Sequence, residues 1–169
     1  NSVNPLVTVQ GNLLFPDNTG TTRDFGSATA ADNLRVSLQG NLVMSESASN
    51  LYASVILNGT GDQTITKTAG TLGSQSTWSI NKTGGSASLA STIAHPSTIT
   101  VDEGTIDANG NTLTTVGAFT LNDGGTFKLQ GGETITVPTL GAGSTTVMYT
   151  GAGAYPSLIA GNNYQNLTF

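Results

Sequence analysis

The groups able to do acid–base or metal chemistry in this sequence are ten carboxylates and one histidine, set among many hydroxyls. The carboxylates are Asp17, Asp24, Asp32, Glu46, Asp62, Asp102, Glu103, Asp107, Asp123 and Glu133. A polysaccharide lyase or glycosidase needs a carboxylate cluster with a base, or two carboxyls at a fixed separation. Here they are scattered, and both arginines, Arg23 and Arg35, lie far from the densest group. That group is Asp102, Glu103 and Asp123, which stacking at 20 to 22 residues would bring to successive corners. Carboxylate and backbone oxygens gathered there would suit Ca²⁺. Aspartate in a Gly-rich turn has a simpler role, because its side chain supports turn conformations, and that reading is preferred. His95 stands before Pro96 in an expected loop. A lone His without Cys cannot complete a zinc site, and no Gly-x-Ser-x-Gly motif activates a serine. The sequence assigns no catalytic residue, metal or cofactor and reads as a non-enzyme.

The hydroxyls form the next candidate. Thr98 and Thr100 flank Ile99, Thr112 and Thr114 flank Leu113, and Thr134 and Thr136 flank Ile135. If those three apolar residues point inward, strand alternation sends all six threonines outward. Thr112/Thr114 and Thr134/Thr136 should then stack in adjacent coils, as a flat Thr-x-Thr array suited to ice or another crystalline surface. Threonine is also an ordinary strand residue, and stacked Thr pairs stabilise sheets by themselves. Trp78 shares the parity of Ile80 and is expected inside, while Tyr149, Tyr155 and Tyr164 are the aromatics expected outside, where sugars could stack. Asp107 and Lys128 follow Ile106 and Phe127 and should sit side by side as a surface pair.

These groups must be positioned by strands. Of 169 residues, 81 (48%) are Gly, Ser, Thr or Asn, and only 9% are charged, against roughly 25% in a typical domain. Net charge is −5 with a pI near 4.4, so a nucleic-acid partner is not expected. There is no Cys for a disulfide framework, and no apolar run approaches the roughly 20 residues of a membrane span. Such a composition could mean disorder. Instead, 36% of the residues are hydrophobic, and they fall in alternating runs such as Val7-Thr8-Val9, Ile99-Thr100-Val101 and Phe127-Lys128-Leu129. Gly, Asn-Gly or Asp-Gly follows almost every run, the pattern of short strands and tight turns. Residues 28–34 and 86–93 are the only segments expected to form a helical turn. The fold class is all-β.

The second half of the chain repeats. Ile99 and Phe119 are 20 apart, Ile106 and Phe127 are 21 apart, and Leu113 and Ile135 are 22 apart. Three short strands per copy at this period specify a parallel β-helix (β-solenoid), since one coil cannot bury its own inward side chains and must stack on neighbours. About eight coils at roughly 4.8 Å each would make a rod some 40 Å long. Residues 1–169 are expected to form one solenoid domain. In the first half, Val7-Thr8-Val9-Gln10-Gly11-Asn12 matches Val36-Ser37-Leu38-Gln39-Gly40-Asn41 at a spacing of 29. The excess places a surface loop or short helical insertion over 16–33. A further echo, Tyr52–Leu57 with Tyr164–Phe169 at an offset of 112, suggests that a larger unit begins again. The chain is therefore expected to be a segment of a longer repetitive protein or a subunit that stacks end to end.

Tyr164-Gln165-Asn166-Leu167-Thr168, Val36-Ser37-Leu38-Gln39-Gly40-Asn41-Leu42 and Gly104-Thr105-Ile106-Asp107-Ala108-Asn109-Gly110-Asn111-Thr112-Leu113-Thr114 resemble the repeats of secreted bacterial surface proteins, large adhesin-like β-solenoids. The resemblance runs from about residue 34 onward. It implies a right-handed parallel β-helix, an extracellular or cell-surface location, and structural or adhesive duty as a stalk, surface-layer or filament element. It brings no catalytic residues. The expected partners are adjoining coils or identical subunits. The alternative is a binding module for glycan or an ice-like surface through the Thr face, and a polysaccharide-active enzyme ranks third.

Overall fold

The computed structural model describes residues 5–17, 22–29, 34–95, 97–152, 154–155 and 157–169. They form a parallel β-solenoid of about six turns with three sides, and no helix occurs among them. Side one stacks β1 (Leu6–Val9), β4 (Arg35–Leu38), β7 (Ser54–Leu57), the first part of β10 (Trp78–Leu89), the first part of β12 (Ile99–Asp107), β14 (Phe119–Leu121) and β16 (Thr139–Leu140). Side two stacks β2 (Leu13–Phe15), β5 (Leu42–Met44), β8 (Gln63–Lys67), the remainders of β10 and β12, β15 (Gly125–Leu129), β17 (Thr146–Tyr149) and β18 (Asn166–Thr168). Side three holds β3 (Arg23–Phe25), β6 (Ser49–Leu51) and β9 (Thr71–Leu72), then β11 (Ile93–His95) and β13 (Leu113–Thr115). The ladder of side three is interrupted between β9 and β11.

Register follows from burial. Val36, Val55, Trp78, Ile99 and Phe119 are direct neighbours in successive coils, and none is more than 2% exposed. On side two, Ala87, Ile106, Phe127 and Val147 form the matching column. A slip of one residue would turn every such column outward, which is why the pairing is strongly specified. The three spacings read from the sequence all appear as pairs: Ile99 with Phe119, Ile106 with Phe127 and Leu113 with Ile135. The spacing of 29 also holds, pairing Val7 with Val36 and Leu13 with Leu42.

Corners need backbone that turns sharply. β12 crosses from side one to side two at Gly104, whose φ of +84° lies in the left-handed region. A Cβ there would stand 2.5 Å from the Lys82 carbonyl oxygen of the coil beneath, so only glycine lets the coils approach this closely.

Several expectations are corrected. There are about six turns, not eight. The first coil takes 29 residues and the next steps on side two take 23 and 24, while the described residues between 150 and 165 add no strand. The segment 16–33 is not simply a loop or helix, because it supplies β3, paired with β6 on side three; residues 18–21 and 30–33 lie outside the described residues. Most of the helical turn expected over 28–34 therefore cannot be placed. The one expected over 86–93 is absent, since Ser86–Leu89 completes β10, held by ladders to β8 and β12 on either side. The 112-residue echo does not join equivalent strands. Ser54–Leu57 lies on side one and Asn166–Thr168 on side two.

Candidate functional site

The outward hydroxyls are set by the ladders. Thr98 and Thr100 flank Ile99 on side one, where Ser79, Thr100, Thr120 and Thr139 form one file. Thr112, Thr114, Thr134 and Thr136 lie on side three and stack through the Leu113–Ile135 bridge. The six threonines therefore occupy two sides of the rod. Thr136 is committed to structure: its Oγ1 accepts from Thr115 N at 2.8 Å and donates to Thr115 O. Side two carries a longer file, Ser86, Thr105, Thr126, Thr146 and Asn166. It was legible in the repeat, since Thr105 and Thr126 precede the aligned Ile106 and Phe127.

The acidic side chains serve turns. Asp102 accepts from Ser79 Oγ at 2.5 Å and from Asn122 Nδ2 at 2.8 Å. Asp123 accepts from Gly143 N in the following coil, and Glu103 is exposed. Stacking therefore aligns Asp102 with Asn122 rather than with Asp123, and no trio of His, Cys, Asp or Glu able to hold a metal occurs among the described residues. The buried Glu133 receives Gln130 N, Gly131 N and Gly110 N, which ties one corner to the coil beneath. Ser86 hydrogen bonds hold the exposed Asp62 carboxyl below the usual range. Asp32 lies outside the described residues.

The expected Asp107–Lys128 pair is present at 2.8 Å, but only its lysine reaches the surface, since Asp107 is 7% exposed. Asp107 also accepts from Asn109 N and so caps its own turn. A double-mutant cycle on Asp107→Ala and Lys128→Ala should give a coupling of about 0.5–1 kcal/mol, the range of surface pairs. Coupling near zero in urea titrations would make the contact decorative.

Two basic groups are interior. Lys82 is 1% exposed, and its Nζ donates to Gly59 O (2.6 Å), Gly61 O (2.9 Å) and Gln63 Oε1 (2.8 Å). Gln63 repeats the device one coil lower, donating to Leu38 O and Gly40 O. Burial pulls the Lys82 ammonium below the ordinary lysine pKa, with Asp62 opposing. His95 is in strand β11 rather than in a loop, is 1% exposed, and packs edge-on to Trp78 with ring centroids 4.6 Å apart. Its Nδ1 accepts from Ser97 N, while Nε2 has no partner. Burial lowers its pKa from 6.5 to about 4, so the ring is neutral at pH 7.

Trp78 is buried as expected, but Tyr149 is not outside: it shares the inward parity of Val147 and is 1% exposed. Its ring stacks on Phe169 (5.8 Å) and meets Tyr155 edge-on (5.1 Å), while Tyr164 shares a hydroxyl contact with it. Phe169 is 69% exposed, and Leu167 beside it is also exposed, on a strand that pairs with β17 alone among the described residues. At the opposite edge Leu6, Val7 and Leu14 are exposed on strands with one neighbour each among the described residues. No family model, curated protein or solved structure matches the chain.

Proposed function

We propose that the chain is a non-enzymatic structural or adhesive element of an extracellular, cell-surface assembly, a length of β-solenoid rod continued end to end by further coils or by copies of itself. One observation carries the reading. Among the described residues, inward-facing apolar side chains are left uncovered at both ends of the column: Val7, which continues the file of Val36, and Leu167, which continues that of Val147. Parallel edges with free N–H and C=O groups are templates for another strand, and these carry little charge to oppose contact. Secretion rests on the resemblance of the repeats to those of bacterial surface proteins. A second reading, a face that binds ice or glycan, is favoured by the even files of Thr on all three sides.

Light scattering after size exclusion tests the first reading. The mass should rise with concentration, and Leu167→Glu with Val7→Lys should return it to that of a monomer. A particle that stays monomeric to about millimolar concentration, the weakest useful affinity, would rule out self-stacking.

A further inference from the structure

Side one carries a groove of about 360 Å³ on its outer face, crossing four successive coils. At roughly 4.8 Å per coil it runs about 14 Å along the axis, with Arg35 of β4 at one end and Asp102 of β12 at the other. We propose that it binds an acidic saccharide, a short oligosaccharide bearing uronate carboxylates.

Arg35 is exposed, and its guanidinium has no hydrogen-bond or ion-pair partner among the described residues. A free planar fork of donors matches a carboxylate in two-point geometry. Asp102 is fixed by Ser79 and Asn122, and a carboxylate so held keeps lone pairs for two further donors, the capacity a sugar's vicinal hydroxyls require. Asn81 sits at a register irregularity of β10 between them, where a bulge re-aims a side chain. Ile56 supplies an apolar patch for the C–H face of a ring. Thr77 donates to Ser54 across the wall, which keeps both hydroxyls in place.

A peptide is the poorer occupant. The strands beneath the groove have neighbours on both edges, β4 with β1 and β7, and β7 with β4 and β10. No backbone edge is left there for an added strand, so recognition must come from side chains. This inference is independent of end-to-end stacking, because the groove lies on the flank of the rod.

The test titrates the chain with trigalacturonate and, in parallel, with neutral maltotriose, followed by NMR shifts. Measurements at about 0.15 M salt confine the repulsion of the net −5 charge to roughly 8 Å. Trigalacturonate should give saturable shifts at Ile56, Ser79 and Asn81. Arg35→Gln and Asp102→Asn should each weaken it about tenfold, the scale of one lost charge-assisted contact. Arg35→Gln should leave the thermal midpoint unchanged, since no internal contact is lost. No saturation by about 10 mM, an equal response to maltotriose, or binding indifferent to Arg35→Gln would each overturn the proposal.

Discussion

Lys82→Met should lower the unfolding free energy by about 2 kcal/mol, although it replaces a buried charge with an apolar chain of similar length. The ammonium is the donor for Gly59 O and Gly61 O, in a corner where the coils touch. Methionine fills the space and donates nothing. A buried acceptor stripped of its donor costs about 1–3 kcal/mol; Gly59 O is such an acceptor, whereas Gly61 is exposed and its carbonyl can take water instead. Gln63 Oε1 loses one donor but keeps Gly59 N. Removing the ion also removes its desolvation cost, which offsets part of the loss. Urea titration reads the effect as a lower midpoint at unchanged slope. A loss under about 1 kcal/mol would mean that the carbonyls find other partners, and that the corner does not depend on its internal cation.

Acidification should weaken the fold by about 3 kcal/mol between pH 6.5 and 4 through His95 alone. Above pH 6.5 the imidazole is neutral in both folded and unfolded chains, and its contribution is constant. Below that, the unfolded chain takes up a proton that the folded chain refuses, because protonation would place a charge beside Trp78 in the core. Stability then falls by about 1.4 kcal/mol per pH unit. Below about pH 4 the folded chain is protonated as well, and the loss from His95 is complete. His95→Phe should flatten the pH 4–6.5 window while carboxylate titration persists at lower pH. An unchanged slope in the variant would place the acid sensitivity elsewhere.

The repeat was legible because stacking imposes it. Ile99, Phe119 and their counterparts must lie above one another if any coil is to bury its inward face, so the spacing of apolar residues contains the register. What the spacing does not contain is the behaviour of polar residues inside a stack. His95 is expected in a loop and nothing in the sequence singles out Lys82, yet both are interior because carbonyls of the coil beneath and the Trp78 face receive them. Ser86-Ala87-Ser88-Leu89 has weak intrinsic preference and becomes strand through ladders on both sides. Arg23-Asp24-Phe25 is too short and too charged to announce itself, and only its pairing with Ser49–Leu51 makes it a strand. The outward Thr files were partly legible. The parity rule located those around Leu113 and Ile135 and passed over the longer one through Thr105, Thr126 and Thr146. The groove on side one was invisible, because Arg35 and Asp102 are 67 residues apart in sequence and come to share one flank only through the coiling.

The hydrogen bonds between coils run along the rod, whereas the covalent chain runs around it. Each coil of about 21 residues raises the rod by only about 4.8 Å but holds about 70 Å of chain when drawn straight. Tension applied at the two termini crosses every coil, but it peels the outermost ladder bond by bond while the inner ladders share the same load over all their bonds at once. The rod yields by unwinding from an end, one coil at a time, lengthening about fifteenfold for every coil released. A tether built this way absorbs a pull in many small steps.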